Sequence, residues 1–188
     1  MKIGWIAVIV IVLLALVLGG GMISSRNTLV VEREAYRNAY QQVEVDLQRR
    51  LDLIPNLVET VKGFAAQEKS VIDSVTSARA AMIGAKTPAE RVNANNQLDG
   101  ALARLLVLTE NYPQLKSNEN FLRLQDELAG TENRIAVGRR RYNDAVTKYN
   151  ADMQQFPANM AASLFGFQRE DAYFNANPEA KTAPSVKF

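Results

Sequence analysis

Cysteine and histidine are both absent from the 188 residues of this chain. Their absence excludes disulfides, zinc sites built from these ligands, a thiolate nucleophile, and any triad or proton shuttle that needs an imidazole. The di-iron sites of four-helix bundles, which use glutamate together with histidine, are excluded as well. Because no loop has the acidic spacing of a calcium site either, the sequence predicts no metal and no other cofactor.

An excess of charge of one sign is lacking too. Lysine and arginine number 22 against 20 aspartates and glutamates, so the formal net charge is +2. A nucleic-acid-binding domain usually presents a strongly basic face, and nucleic acid is therefore not an expected partner. Without a phosphate-binding loop or a catalytic motif, the sequence identifies no catalytic residue and no small-molecule substrate.

One long uncharged segment is present near the amino terminus. Residues Ile3 to Ile23 carry no charge and are bracketed by Lys2 and Arg26. As a helix they would cover roughly 30 Å, the thickness of the hydrocarbon core of a bilayer. The alternative is a signal peptide cleaved near Gly19 to Gly21, but the segment is longer than the usual apolar region of ~7 to 15 residues. We therefore expect a retained single-pass anchor, which makes membrane lipid a partner.

The charges beside this segment favour one orientation. Lys2 lies on its amino side, whereas Arg26, Arg33 and Arg37 follow on the other side. Since lysine and arginine concentrate on the cytoplasmic side of a membrane, the following domain is expected in the cytoplasm. The difference is small, so the periplasmic or extracellular face remains an alternative.

Apolar residues then recur every three or four positions, which predicts a first amphipathic helix. They are Tyr36, Tyr40, Val43, Leu47, Leu51, Ile54, Val58, Val61 and Ala65. Pro55 lies inside this pattern without shifting its phase, so we expect a kink there and a turn near Gly63 to Glu68. A break at Asp52 to Asn56 is the alternative.

Two further helices are indicated by apolar spacing and by terminal signals. The second carries Val71, Val75, Ala78 and Met82 and ends before Gly84. The third begins at Pro88, because Thr87, Pro88 and Glu90 form a capping box with proline in the first turn. It should extend to Tyr112, where Pro113 stops it.

A fourth helix is predicted after Ser117 by an apolar stripe with a mean spacing of about 3.5 residues. The stripe comprises Phe121, Leu124, Leu128, Thr131, Ile135, Gly138, Tyr142, Val146, Tyr149, Met153 and Phe156. Its small members Thr131 and Gly138 should let a neighbouring backbone approach closely. The sequence therefore predicts an all-α fold, a four-helix bundle preceded by one amino-terminal transmembrane helix. Because the connections are short, we expect the bundle to be antiparallel and up-and-down.

This organisation divides the chain into a membrane anchor at residues 1–26, a helical bundle at 27–156 and an aromatic carboxyl-terminal extension at 157–188. The extension begins with a short helix that reaches Leu164. Its later aromatic residues are Phe165, Phe167, Tyr173, Phe174 and Phe188. No helix there is long enough to bury them, so we expect part of the extension to dock, either on the bundle or at the membrane interface.

Charged residues of the first helix are expected to pair with one another. Asp46 precedes Arg50 by four residues, and Glu59 lies three residues before Lys62. Arg49 and Arg50, which Asp52 follows, have Asp46 and Glu44 at hand. These spacings predict ion pairs along the first helix rather than a phosphate site.

Three other groups of polar residues have mainly structural interpretations. Arg139 to Arg141 fan around a helix and predict a solvated face, with anionic lipid or a partner's acidic surface as the alternative. Tyr36, Tyr40, Tyr142 and Tyr149 are expected in the core, where their hydroxyls need hydrogen-bond partners. Asn56, Asn120 and Asn133 are placed either to bridge helices or to serve as caps or surface residues.

Several segments, in the right order, resemble the signature of the LemA family. The longest is RRLDLIPNLVETVKGFA at residues 49–65. The others are NYPQLK at 111–116 with Asn120-Phe121, TENRIA at 131–136, RYN at 141–143 with Tyr149-Asn150, Phe156-Pro157 and Gly166-Phe167. The chain departs from the family at Gln67-Glu68, where histidine usually precedes the glutamate, and this argues against an imidazole function there.

The resemblance implies an inner or plasma membrane protein with one amino-terminal span, an up-and-down four-helix bundle and an amino terminus that faces outward. It implies no reaction. Some relatives are tied to the biogenesis of membrane compartments in magnetosome-forming bacteria, so membrane organisation is an analogy for the role of this chain.

We therefore expect a membrane-anchored scaffold or interaction module of the bacterial cell envelope that is not an enzyme. Its expected partners are envelope proteins or further copies of the chain. One alternative is a lipid-contacting protein that organises membranes. The other is an enzyme that uses residues such as Asp46, Glu59, Lys62 or Tyr142, which would require a concave pocket where two of these groups converge.

Overall fold

The computed structural model describes residues 2–174, and this part of the chain is helical without a strand. The helices are α1 (Lys2–Ala65), α2 (Lys69–Gly84), α3 (Pro88–Thr109), α4 (Pro113–Lys116), α5 (Glu119–Asp152) and α6 (Ala158–Phe165). The all-helical prediction is confirmed. The described residues divide into two compact units, which we call unit 1 (2–41 with 139–173) and unit 2 (42–138 with Phe174).

Helix α1 contains the apolar segment and continues past it without a break. One 18-residue window of this helix has a mean hydropathy of 3.0, and none of the window is buried within the protein. A helix suits this segment because it satisfies its own backbone hydrogen bonds, which lipid cannot do. The described residues thus include one helix that is long and apolar enough to cross a membrane.

Pro55 lies within α1 and does not end it. The turn follows Ala65, so the prediction of a turn near Gly63 to Glu68 is confirmed and the alternative break at Asp52 to Asn56 is wrong. Proline has no N–H to donate to the carbonyl of Leu51, four residues earlier. The guanidinium Nε of Arg79, on α2, donates to that carbonyl at 3.0 Å and replaces the missing hydrogen bond.

Unit 2 has one hydrophobic core, to which helices α1 to α5 all contribute. Its largest fully buried members are Ile54, Leu57, Leu98, Leu105, Leu115, Phe121, Ile135, Val43, Val61 and Val75. Phe174 packs against this core. Gly138 of α5 is buried where a Cβ would lie 2.9 Å from Cγ2 of Val43, so the predicted close approach at this glycine is confirmed.

The capping box at the start of α3 is formed as predicted. The amide of Glu90 donates to Oγ1 of Thr87 at 3.2 Å, and the amide of Thr87 donates to the Glu90 carboxylate at 3.1 Å. The amide of Lys86 donates to the same carboxylate at 2.7 Å. These backbone donors hold the pKa of Glu90 below its ordinary value, because they favour the charged form.

Three helix boundaries differ from the prediction. Helix α3 ends at Thr109 rather than Tyr112, and Pro113 begins α4 instead of stopping α3, because proline fits the first turn of a helix. Helix α2 includes Gly84, whereas the prediction ended it before this residue. Among the apolar residues of α2, Ile72 is buried and Val71 is only half-buried. Helix α5 ends at Asp152, so Met153 and Phe156 do not belong to its stripe, and Phe156 is 70% exposed.

Unit 1 contains the tyrosine cluster that the helical stripes predict. Tyr36 packs against Tyr142 and Tyr149 with ring centroids 6.3 and 5.2 Å apart, and Tyr40 lies 5.7 Å from Tyr142. The hydroxyls of Tyr142 and Tyr149 donate to the carbonyls of Ala172 and Gln168, at 2.8 and 2.9 Å. Burial raises the pKa of both tyrosines, which therefore stay protonated donors.

The segment after α6, residues 167–173, lies along the helices of unit 1, and we call it the carboxyl-terminal strap. The side chain of Asn150 donates to the carbonyl of Glu170 at 2.7 Å and accepts from its amide at 3.0 Å. Arg33 stands over the ring of Phe167 at 5.3 Å. Part of the extension thus docks on helices, as expected. The prediction for Phe188 lies outside the described residues.

Arg79→Met should destabilise the protein by about 1 to 2 kcal/mol, since the carbonyl of Leu51 loses its donor. Pro55→Ala restores a backbone N–H for that carbonyl, so the same arginine substitution should cost clearly less in that background. Thermal and denaturant unfolding of the full chain in detergent would measure both values.

Lys69→Met on the same helix α2 is the matched control, because Lys69 is exposed. It should change stability little in either background. An equal cost of Arg79→Met with and without the Pro55→Ala substitution would show that the arginine does not replace the proline's missing hydrogen bond.

Candidate functional site

An open cavity of about 410 Å³ lies in unit 2 between helices α1, α3 and α5, and we call it the α1/α3/α5 groove. Its apolar lining consists of Leu57, Leu102, Ala103, Leu105, Leu106, Leu128 and Ala129. Its polar lining consists of Arg50, Asp99, Gln125 and Glu132. The groove therefore combines a mainly aliphatic surface with one charged region.

Arg50 is the centre of the charged region and is only 5% exposed. Its Nη1 lies 2.7 Å from a carboxylate oxygen of Asp99 and 2.7 Å from one of Glu132. The side-chain oxygen of Asn95 accepts a weaker bond from the same nitrogen at 3.5 Å, while its amide nitrogen donates to Asp99 at 2.8 Å. One cation with two carboxylates leaves this region with a formal charge of −1.

Structural ion pairs are present as predicted, but the partners predicted for Arg50 and Asp46 are wrong. Arg50 pairs with Asp99 and Glu132 on other helices, while Asp46 accepts from Arg134 at 3.2 Å. Helical spacing alone shows only neighbours on the same helix, and the long arginine side chains reach across instead.

Two further pairs complete this pattern. Glu44 pairs with Arg91 of α3. Glu59 and Lys62 form the predicted pair along α1, at 2.9 Å.

The asparagines expected either to bridge helices or to serve as caps or surface residues lie on the surface, and other polar side chains bridge the helices. Asn56, Asn120 and Asn133 are all exposed. Asn95 is buried beside Arg50, and Asn150 is buried where it holds the strap. The position of Asn95 between apolar Ala94 and Leu98, both buried, is a signal that could have indicated its burial.

Gln67 and Glu68, where the chain departs from the family pattern, both bind one tyrosine. The Tyr112 hydroxyl donates to Glu68 at 2.8 Å and accepts from the Gln67 amide at 3.0 Å. The adjacent carboxylate raises the pKa of Tyr112, so the hydroxyl remains a donor. This arrangement connects the end of α1 to the residue before α4.

Unit 1 contains a second charged cluster, formed by Glu32, Lys148 and Asp152. The ammonium of Lys148 pairs with the nearly buried Glu32 and lies 2.7 Å from Asp152. Burial, with Asp152 nearby, raises the pKa of Glu32, whereas hydrogen bonds from Glu32 and Lys148 lower that of Asp152. The two carboxylates raise the pKa of Lys148 to about 12.

The four residues that an enzymatic role would use do not converge on one site. Asp46 pairs with Arg134, Glu59 with Lys62, and the Tyr142 hydroxyl donates to a backbone carbonyl. None of the four lines the α1/α3/α5 groove. Between residues 2 and 174, moreover, no group of three or more acidic side chains is placed to hold a metal ion.

The arginine run at residues 139–141 lies on α5. Arg140 and Arg141 are exposed, and Arg139 is half-buried. The exposed pair agrees with the predicted solvated face.

Arg50→Met should destabilise the protein by about 3 kcal/mol, because Asp99 and Glu132 would lose their shared cation and repel each other. Arg49→Met is the matched control, since the neighbouring Arg49 is exposed and should tolerate the change with a loss below about 0.5 kcal/mol. Denaturant unfolding of the full chain in detergent would compare them. Equal losses from the two substitutions would contradict a central role for Arg50.

Glu32→Gln should raise the melting temperature at pH 7 and have no effect near pH 4. The pKa of Glu32 is raised on folding, so the unfolded carboxyl ionises first, above about 4.5, and native stability falls as the pH rises through the folded pKa. Glutamine removes that loss.

Melting curves from pH 4 to pH 8 would test this, with Glu34→Gln at an exposed site as the control. A lower melting temperature for Glu32→Gln at pH 7 would mean that the ionised carboxylate is favourable where it lies.

Comparison with known proteins identifies a family model and relatives that each cover most of the chain. The model of the LemA family matches residues 39–188. Magnetosome protein MamQ 2 of Paramagnetospirillum magneticum is 29% identical in an alignment that covers 83% of this chain and 66% of that protein. Magnetosome protein MamQ of Magnetospirillum gryphiswaldense is 27% identical in an alignment that covers 82% of this chain and 69% of that protein.

A relative with the family name is more distant. Protein LemA of Metamycoplasma hominis is 22% identical over 141 residues, which cover 74% of this chain and 64% of the relative. The chain thus spans about two thirds of the length of these relatives. Arg50 and Glu132 of the groove lie in two of the segments that resemble the family signature. The match extends over well more than half of the sequence, and the chain belongs to the LemA family.

Proposed function

We propose that this protein is a membrane-anchored interaction protein, a scaffold of the bacterial cell envelope. The observation that carries the proposal is the α1/α3/α5 groove, where Ala103, Leu106 and Ala129 are exposed although the charged groups beside them are occupied with one another. A surface of this kind suits the side chains of a partner, because the carboxylates that line it, Asp99 and Glu132, are paired with Arg50.

The anchor and its membrane belong to the same proposal. Residues 1–26 hold the chain in the plasma (inner) membrane as a single span, residues 27–156 form an antiparallel up-and-down bundle, and residues 157–188 form an extension. The three-residue connections after α1, α2 and α3 support the antiparallel arrangement. Arg26, Arg33 and Arg37 after the span support a cytoplasmic bundle.

The groove indicates what a partner should present. Leu106, Ala103 and Ala129 are exposed, so a partner would insert aliphatic or aromatic side chains. Because the charged region has a formal charge of −1, a lysine or arginine beside those side chains would be attracted to it. An amphipathic helix of an envelope protein, or of a second copy of this chain, has this combination.

The relatives are consistent with a role in membrane organisation. Two of them are named magnetosome proteins, and each is related to this chain over most of its sequence. We propose by analogy that the partners of this chain are proteins of a membrane-associated assembly. An enzymatic role has no comparable support from the contacts of Asp46, Glu59, Lys62 and Tyr142.

Photocrosslinking in native membranes would test the groove as a binding surface. A photoreactive residue placed at Leu106 or Ala129 should crosslink to a discrete partner, because both side chains line the groove and are exposed. Asn133 is the control, since it is exposed on the same helix α5 but does not line the groove.

Mass spectrometry of the crosslinked peptide should find an apolar segment with a neighbouring lysine or arginine, either in another protein or in a second copy. Recovery of uncrosslinked monomer from both groove positions would count against the proposal. So would the same products from the Asn133 position.

A further inference from the structure

Helix α6 of unit 1 presents an uncovered face without any charge. From Met153 to Gln168 the sequence contains no charged residue. Ala161 and Ala162 are buried on the inner side of the helix. Met160 and Leu164, one helical turn apart, are 52% and 67% exposed, and Phe156 just before the helix is exposed as well. In water this face would be an unfavourable apolar surface.

The position of this face relative to α1 indicates its environment. Pro157 lies against Gly21, within 3.9 Å of where a Cβ would be. The guanidinium of Arg26 stands over the ring of Phe165 at 5.5 Å. Helix α6 therefore lies beside the last turns of the apolar segment, where the first cation after that segment occurs.

The burial pattern along α1 also indicates that α6 lies near the surface of the bilayer. Residues 8–18 are exposed throughout, and cover by other parts of the protein begins at Gly19 and continues at Gly21, Met22 and Ser25. Lipid must surround the uncovered part if α1 spans a bilayer. The boundary of the bilayer then falls within about two turns of the residues that contact α6.

We propose that α6 is a second membrane contact, an interfacial helix that inserts Phe156, Met160 and Leu164 into the bilayer crossed by α1. Its eight residues measure about 12 Å, too short to span a membrane but suited to lie in the headgroup layer. The left-handed conformation of Gly166, at φ 69°, ends the helix and directs the chain into the strap. Arg26 lies where its charge can reach lipid phosphates.

This inference rests on the proposed membrane insertion of α1, and the test separates the two. Because the chain has no cysteine, single cysteines can carry an environment-sensitive fluorophore in the full-length protein. Labels at Leu164 and Phe156 report on α6, a label at Leu16 reports on the span, and a label at the exposed Asn38 is the control. Asn38 follows Arg26 by 12 residues, about 18 Å farther along α1.

The proteins would be reconstituted in vesicles of phosphatidylcholine and phosphatidylglycerol that contain nitroxide lipids. We expect a nitroxide near the headgroups to quench the Leu164 and Phe156 labels at least half as strongly as a deep nitroxide quenches the Leu16 label. The Asn38 label should be quenched little. Leu164→Glu should reduce quenching of the Phe156 label, whereas Ser163→Glu, at an exposed polar position of the same helix, should leave it.

Three outcomes would overturn the proposal. If the Leu16 label is quenched while the Leu164 label matches the Asn38 label, α6 lies in water. If the Leu164 emission is shifted to the blue without lipid quenching and depends on the protein-to-lipid ratio, a second copy covers the face instead. If even the Leu16 label is not quenched, α1 does not span the vesicle membrane, and the proposed anchor fails together with the interfacial helix.

Discussion

Each backbone N–H and C=O group needs a hydrogen-bond partner, and this requirement governs how the chain is built. In hydrocarbon only the segment itself can supply that partner, so the apolar residues of α1 adopt a helix. The helix then continues to Ala65, well beyond the apolar segment. At Pro55, where one donor is missing, a side chain from α2 supplies it. The same requirement therefore explains both the helical conformation of the apolar segment and the placement of Arg79.

Buried charge imposes the second condition. Arg50 is almost fully enclosed, and removing a guanidinium from water is unfavourable unless carboxylates lie close to it. Its two partners come from α3 and α5, so the charge is satisfied only when three helices have the correct register. Aliphatic side chains could pack in several registers with similar energy, whereas this ionic contact tolerates one. Arg50 therefore links α1, α3 and α5 in the register that the structure shows.

The sequence predicted the elements well because the signals for them are local. The stripe around Pro55, the capping box of Thr87 and Glu90, and the tyrosines of α1 and α5 all depend on residues within a few turns. It predicted Pro113 wrongly, because proline both ends helices and begins them. The partners of Arg50 and the burial of Asn95 could not be predicted, since they depend on which helices become neighbours. The groove could not be predicted from the sequence for the same reason.

Hydrogen bonds to its main chain hold much of the carboxyl-terminal strap, beside the side-chain contacts of Phe167 with Arg33 and of Tyr173 with Asn150. Tyr142, Tyr149 and Asn150 contact the carbonyls of Ala172, Gln168 and Glu170, and Asn150 also contacts an amide. The helices therefore recognise the path of the strap rather than the identity of these three strap residues. Substitutions at Gln168 or Ala172 can accumulate without loosening it, while the tyrosines and the asparagine of α5 have little freedom to change. Sequence drift should accordingly concentrate on Gln168 and Ala172 and spare the residues whose side chains hold the strap.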